Sequence, residues 1–310
     1  MTVSVCIATY RRAEPLRALL ADLAAQEVHP FEVVIVDNDA AGSARAIVDE
    51  RRQLGMPCPL IYDIQPRQNI SLTRNRTVEL AQGAWLAFID DDERAPPEWL
   101  RQLRDAVSLH DADGVLGPVI PIVPNSAPQW IRRGQFYDWE RLTTGAAVPR
   151  NRLRFGNLIL RNSWVRRYPL PFDPAYGLTG GEDGDLLARM VNSGARIVWC
   201  DEAIVNEPIV PARLSLRWLL RRALRGGQDF ARHTLAGRYG RIGLFERAGF
   251  VARAIAQSLA AALFAAVSFL RGRHASAFWL LKAAANIGKL TVFFGWHYRE
   301  YAAPQENPST

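Results

Sequence analysis

A chain of 310 residues, 49% hydrophobic and 22% charged, is long enough for one large domain, or a domain with an appendage, around a buried core. This near-average composition excludes intrinsic disorder, a collagen-like repeat and a disulfide scaffold. The formal net charge of +7 divides unevenly: residues 208–310 hold 15 Lys/Arg against 4 Asp/Glu, whereas residues 1–207 hold 23 against 27, so a mildly acidic body carries a basic tail.

The first hundred residues alternate strand and helix. TVSVCIA (2–8) is a β-branched run, and Glu14–Gln26 carries Leu16, Leu19, Leu20 and Leu23 at helical spacing. FEVVIVD (31–37) is a second apolar strand, followed by a helical stretch over 43–54, and LIYDIQ (60–65) is a third strand. Ser71–Gln82 reads as a helix with Ser71 as its N-cap and Gly83 closing it, and AWLAFID (84–90) is a fourth, almost wholly apolar strand. Apolar strands alternating with helices predict a mostly parallel sheet covered on both faces, with ligands beyond the carboxyl ends of the strands. Thr9–Arg12, Asp37–Asp39 and Asp90–Glu93 fall at those ends.

After a helix over 97–109 the pattern loosens, and residues 121–155, with Trp130 and Trp139, read as a long loop or lid. RFGNLILR (154–161) returns as a strand, the segment from Gly180 opens a helix to about Asn192, and ARIVWC (195–200) is another strand. Cys6, Cys58 and Cys200 stand far apart without a CxxC pair, so small buried residues in a reducing cytoplasm are expected rather than a disulfide or zinc framework. No secretory signal is expected, because Arg11 and Arg12 follow the first apolar strand instead of preceding it.

Asp-x-Asp pairs occur at 37/39, 90/92, 111/113 and 183/185, where chance alone gives roughly one. The pair at 111/113 belongs to a helix-to-strand turn. Asp90-Asp91-Asp92 differs because three carboxylates at the end of a buried strand repel one another unless a cation compensates. Hard oxygen ligands suit Mg²⁺ or Mn²⁺ bridging to phosphates; a solvated acidic turn is the other reading.

SVCIATYRR, VVIVDND, NISLTRNRTVELAQGAWLAFIDDDE and TGGEDGDLLARM follow one another in an order and spacing that resembles family 2 glycosyltransferases of the GT-A fold, over residues 2–230. The segment 207–227 is similar to the bacterial members that extend lipid-linked exopolysaccharide repeat units, the succinoglycan-type glucosyltransferases. The resemblance implies that Thr9, Tyr10, Arg12 and Asp37 hold the uracil and ribose of a UDP-sugar. It implies that Asn69, Arg74 and Asn75 line the donor pocket, with Asp90 on the ribose, Asp91 beside it and Asp92 on the metal. Asp183 would be the general base that deprotonates an acceptor hydroxyl, and Glu182, Gly181 and Trp130 would bind the acceptor; which carboxylate takes the proton stays open. Asp185 reads as a helix N-terminal acid, and for Asn157, Trp130 and Trp139 acceptor contact and core packing both stand.

Two departures from the family matter. Where many relatives place a His as a further metal ligand, this chain has Glu207, either an oxygen ligand or a surface acid. The QxxRW of processive relatives is reduced to Arg217-Trp218 without the Gln, which argues for one sugar per acceptor; Arg213, Arg217 or Arg222 would steady a diphosphate or form a basic helix face.

In the tail, residues 254–270 are 17 residues without charge, roughly 26 Å as a helix and short for a bilayer span. Over 275–298, Lys282, Asn286 and Lys289 form a polar stripe that favours lying at the interface, with Trp296 and Tyr298 as headgroup-level anchors. Anionic lipid, a helical packing or homodimer surface, and nucleic acid are the candidate partners of the basic tail; without a nucleic-acid motif the lipid is preferred. The expected organisation is therefore a GT-A catalytic domain over 1–210, with its nucleotide-sugar half to about 110, and a basic amphipathic, membrane-associating region over 211–310. The expected activity is inverting, metal-dependent transfer of one sugar, glucose, from a UDP-sugar to a lipid-linked saccharide on the cytoplasmic face of the bacterial inner membrane. A sugar nucleotidyltransferase is the rival enzyme, though Ala8-Thr9-Tyr10-Arg11-Arg12 lacks its Gly-rich loop, and a noncatalytic membrane-associated carbohydrate-binding protein is the rival of another class.

Overall fold

The computed structural model describes residues 1–302 and divides into two compact units. Of the described residues, the first comprises 1–119, 141–206 and 299–302; the second comprises 120–140 and 207–298. The boundary expected at 210 is thus incomplete. The stretch read as a loop or lid is divided, its first part belonging to the helical unit and the remainder to the sheet unit.

In chain order the elements are β1 (Val3–Thr9), α1 (Ala13–Ala24), β2 (Glu32–Asp37), α2 (Arg45–Gln53), β3 (Leu60–Ile64), α3 (Ile70–Leu80) and β4 (Trp85–Ile89). They continue with α4 (Trp99–His110), β5 (Gly114–Leu116), β6 (Val119–Ile122), α5 (Gln129–Gly134), β7 (Asn157–Arg161), α6 (Asn162–Val165) and α7 (Glu182–Asn192). After β8 (Ile197–Trp199) and β9 (Val205–Pro208) come the helices α8 (Leu216–Leu235), α9 (Leu244–Ser268) and α10 (Arg273–Thr291).

Seven strands form the main sheet in the order β3-β2-β1-β4-β7-β5-β8. β1 to β4 are parallel neighbours, β7 runs antiparallel between β4 and β5, and β5 and β8 are parallel. Period-two alternation explains the two-sided core. Val3, Val5 and Ile7 pack with Leu16, Leu19, Leu20 and Leu23 of α1 and with Trp99 and Leu103 of α4 on one face. Cys6, Val34, Val36, Leu86 and Phe88 meet Leu186, Leu187 and Met190 of α7 on the other. Thr9 lies opposite Asp37, so the ends of β1 and β2 share one edge. β7 enters at that edge, with Asn157 opposite Ile89, and this brings Phe155 and Gly156 to the end of β4.

Cys6 and Cys200 are buried, Cys58 is half-buried, and all three are free. Burial pushes the Cys6 thiol up to about 12. The N-cap of α3 is Asn69, whose side chain accepts from Leu72 N, rather than Ser71. Gly83 lies past the end of α3, where a Cβ would come within 2.6 Å of Ser4.

In the second unit α10 packs against both α8 and α9. A Cβ on Gly227 would sit 1.9 Å from the Ala285 carbonyl oxygen and one on Gly288 2.0 Å from that of Leu224, so two glycines set the approach of α8 to α10. Gly227→Val is expected to destabilise the helical unit by roughly 1–3 kcal/mol through overpacking, read as a lower midpoint in urea; a wild-type midpoint would mean the helices separate without cost. Two helical segments, Leu244–Arg271 and Arg273–Phe294, are long and apolar enough to cross a membrane by length and composition. α9 is longer than the uncharged run at 254–270, beginning ten residues earlier at Leu244. It turns Ala254, Ala261 and Ala265 inward and leaves Ile255, Leu259, Leu263 and Val267 exposed. The stripe of α10 is only partly solvent-facing: Lys282 is exposed, whereas Asn286 is buried and accepts from Lys289 Nζ at 2.8 Å, and Lys289 lies over the Phe230 ring.

Candidate active site

The carboxyl edge of the main sheet gathers the acids of β4 and the head of α7. Asp90 follows β4 directly, and its backbone N–H donates to Glu93 Oε2 (3.0 Å), which closes a tight turn. The Asp90 side chain is 47% exposed, and its Oδ1 accepts from Arg74 Nη2 at 3.2 Å. Desolvation at this crowded strand end holds the Asp90 carboxyl above its ordinary range, while Arg74 and Arg12 pull it back down. Asp91 turns inward and accepts from the Thr9 hydroxyl (2.7 Å) and Arg12 Nη1 (2.8 Å). Burial raises the Asp91 carboxyl to about 6 against the opposing pull of Arg12. Asp92 pairs with the same Arg12 at 2.9 Å and keeps 14% of its side chain accessible.

Gly180 and Gly181 both adopt left-handed φ (85° and 94°), which only glycine takes without strain, and they swing the chain into α7 with Glu182, Asp183 and Asp185 in its first turn. The three acids have different fates. Glu182 is 1% exposed and accepts from Arg74 Nη1 at 2.5 Å. Asp185 is buried against Arg189 at 2.8 Å, a helix acid as expected. Asp183 is half-buried and open on one side; its Oδ2 accepts from the Phe155 backbone N–H at 3.0 Å. Arg74, itself buried, links Asp90 to Glu182 and stacks over the Phe155 ring at 4.9 Å. Burial works against its charge, but Glu182, Asp90 and Asp183 outweigh it and hold the guanidinium ionised.

Several expected contacts are corrected. Asp37 has no accessible surface, and its carboxylate accepts from the Asp39 and Ala44 N–H groups and from Tyr62 OH, so it shapes the loop after β2 instead of meeting a base or ribose. Thr9 and Asp91 are bonded to each other, so they tie β1 to β4 rather than face a nucleotide. Asn69 is buried as a helix cap and donates to the Pro174 carbonyl (3.1 Å), and Asn75 clamps the Phe172 backbone through both ends of its amide. Glu182, shut in behind Arg74, presents no oxygen to an acceptor. Glu207 belongs to the second unit, where Arg213 already neutralises it, which removes the need for a metal. Trp130 lies in α5 against Phe136 and under Arg273, and Asn157 is a core residue bonded to Trp99, Pro118 and Ala203.

Tyr10, Arg12, Asp90, Asp92 and Asp183 keep accessible surface in the first unit. Sequence reasoning missed Phe155 and Gly156. A Cβ on Gly156 would come within 2.7 Å of Glu93 Oε1 and 3.7 Å of Asp90 Oδ2, at a left-handed φ of 113°. Asp39, which the sequence places at the ligand-facing end of β2, pairs with Arg11 at 2.9 Å. The only available signal was the Phe-Gly at the mouth of a strand, too common to carry weight alone.

Among the described residues no three His, Cys, Asp or Glu side chains converge on a ready-made metal cage. The accessible oxygens of Asp90 and Asp92 nevertheless fit a hard divalent cation that takes its remaining ligands from phosphate and water.

Residues 4–170 match the model for glycosyl transferase family 2. The chain belongs to that family. It is therefore a glycosyltransferase, and its sheet is that of the GT-A fold. It is 36% identical over 236 residues to the succinoglycan biosynthesis protein ExoM of Rhizobium meliloti, covering 74% of each chain. Among solved structures, the mannosyltransferase PcManGT of Pyrobaculum calidifontis, in complex with GDP-Man and Mn²⁺, has a TM-score of 0.65 at 20% identity, with 93% of this chain and 86% of that one covered. TarS of S. aureus in complex with UDP-GlcNAc has a TM-score of 0.55 at 19% identity, covering 96% and 93%. These two likenesses establish the fold.

Proposed function

We propose that this glycosyltransferase moves a single glucose from a UDP-sugar to a lipid-linked saccharide in exopolysaccharide biosynthesis, with inversion, on the cytoplasmic face of the bacterial inner membrane. The observation that carries the reading is Asp183, an open carboxylate whose neighbour Glu182 is joined through Arg74 to the acids at the end of β4. Similarity to ExoM supports the exopolysaccharide setting. Asp183 takes the proton from an acceptor hydroxyl as its oxygen attacks the anomeric carbon, and the UDP departs from the opposite face, so an α-linked donor gives a β-linked product. Asp92, with Asp90, would hold Mg²⁺ or Mn²⁺, and Arg12 orients Asp92. When bound, the cation stabilises the charge that develops on the diphosphate leaving group. Tyr10 and Arg12 are the residues proposed to meet the nucleotide.

A panel of UDP-glucose, UDP-galactose, UDP-GlcNAc and GDP-mannose, with Mn²⁺, Mg²⁺ or EDTA and with membrane lipid extract as acceptor source, tests this reading. Transfer from UDP-glucose that stops in EDTA is expected; no nucleotide binding and no transfer across the panel overturns it. For the membrane, the full chain is expected to float with liposomes containing phosphatidylglycerol. Leu259→Glu with Leu263→Glu, on the exposed row of α9, is expected to reduce flotation at least tenfold. A wild-type chain that stays in the soluble fraction as a dimer would assign that row to a second copy instead.

A further inference from the structure

The second unit holds a guanidinium with no acidic partner of its own. Arg222 of α8 lies over three aromatic rings, 5.3 Å from the centroid of Trp218, 5.8 Å from Trp139 and 6.0 Å from Tyr137. Among the described residues it donates no hydrogen bond and joins no ion pair, so its planar fork of N–H groups is available. Two of the rings, Tyr137 and Trp218, are themselves held in place. Tyr137 stacks on Trp218 with centroids 6.0 Å apart, and its hydroxyl donates to the Arg213 carbonyl at 2.8 Å. Arg213 is held by Glu207 and also lies over Trp218, at 5.7 Å.

We propose that Arg222 and its aromatic surround form a binding subsite for a lipid-borne phosphate or diphosphate. The inference deepens the proposed function and rests on its lipid-linked acceptor. A guanidinium clamped by aromatic faces loses little freedom when it binds, and its fork matches two phosphate oxygens at once. The charges that bear on it most are Glu207 on the negative side and Arg225 and Arg213 on the positive side. Burial and those two arginines push Arg222 toward giving up its proton, against the pull of Glu207. The same unit carries the exposed apolar row of α9, and Trp139 is half exposed, so an anion attached to a lipid tail suits it better than a free one. Arg217 and Arg221 are exposed and lack such a frame.

The test is binding of farnesyl diphosphate and of inorganic pyrophosphate to the full chain in detergent, with EDTA present so that no divalent cation retains a diphosphate at Asp90 and Asp92. Phosphatidylcholine vesicles with and without phosphatidylglycerol form the second arm. Arg222→Gln is expected to weaken farnesyl diphosphate at least tenfold, and Arg222→Lys to restore only part of that loss because an ammonium lacks the fork. A loss confined to phosphatidylglycerol vesicles assigns the lipid phosphate to a phospholipid headgroup rather than a lipid-linked acceptor. Wild-type affinity for both farnesyl diphosphate and phosphatidylglycerol vesicles in a folded Arg222→Gln overturns the subsite. Should that variant not fold, Arg222→Lys keeps the charge and carries the test, and unchanged affinity in it overturns the subsite equally. UDP binding by the wild-type chain in Mn²⁺ is measured in parallel, so a failed donor reading and a failed phosphate subsite are told apart.

Discussion

Asp183→Asn is expected to lower sugar transfer by about 10²–10⁴-fold while UDP-sugar affinity is retained, the usual cost of losing a general base. The substitution is close to isosteric. Asn can keep accepting from the Phe155 N–H through its amide oxygen, so the turn from Gly181 into α7 stays in place. What it cannot do is take a proton from the acceptor hydroxyl. Asp185→Asn, two residues on, is the control, because Asp185 is buried against Arg189 and faces no cleft. It should lower the thermal midpoint and leave turnover per folded molecule close to wild type. Single-turnover transfer with saturating donor, together with nucleotide binding by titration, separates the two behaviours. Turnover of Asp183→Asn within threefold of wild type would remove Asp183 as the base.

The contrast between those neighbouring acids shows what the sequence can and cannot convey. That Gly180-Gly181-Glu182-Asp183 opens a helix beside the sheet edge is local information: paired glycines, then acids that favour a helix start. Which of the three acids faces the cleft depends on Arg74, which is more than a hundred residues away and reaches Glu182 through a long-range contact. The same distinction runs through the donor side. The strand ends were legible because an unbroken apolar run stops at a charged residue, as VVIVD stops at Asp37 and AWLAFID at Asp90. Whether such an acid serves a ligand or the loop behind it depends on how many donors the fold aims at it. Asp37 receives the N–H groups of Asp39 and Ala44 and the hydroxyl of Tyr62, whereas the Asp90 side chain accepts from Arg74 and stays about half exposed.

In the helical unit the periodicity of α8 to α10 was readable, but the burial of Asn286, in the middle of the Lys282, Asn286 and Lys289 stripe, was not. A stripe of polar residues on an apolar helix has two physical solutions, water or a mutually satisfied buried network. Asn286 takes the second, accepting from Lys289 and donating to the Lys282 carbonyl. Asn286 thereby no longer counts against burying the outer face of α9 and α10 in lipid, while exposed Lys282 still favours the interface. Likewise, residues 120–140 join the helical unit through Ile131 and Tyr137, which pack with Ile209 and Leu219. No local pattern in a Pro-containing loop announces such partners.

Arg74→Met is the substitution expected to cost most in stability. Arg74 has a 10% exposed side chain between Glu182, 2% exposed, and Asp90, so removing it leaves the Glu182 carboxylate buried without its cation. Breaking a buried pair from one side costs about 3–5 kcal/mol, more than the net worth of the pair, because the remaining ion keeps its desolvation penalty. Asp90 adds little to that cost, since its side chain is 47% exposed and water can solvate it. Glu182→Gln should cost less, because Arg74 retains Asp90 and the Phe155 face. The double variant Arg74→Met with Glu182→Met replaces the pair by apolar volume and is expected to recover most of the lost stability. It should not recover transfer, because the link between the β4 acids and the head of α7 is absent. Urea unfolding of the two single variants and the double variant forms a thermodynamic cycle in which a coupling of about 2 kcal/mol or more is expected. Additive costs within about 0.5 kcal/mol would mean that Arg74 and Glu182 act independently, and a double variant with wild-type transfer would take Arg74 out of the site altogether.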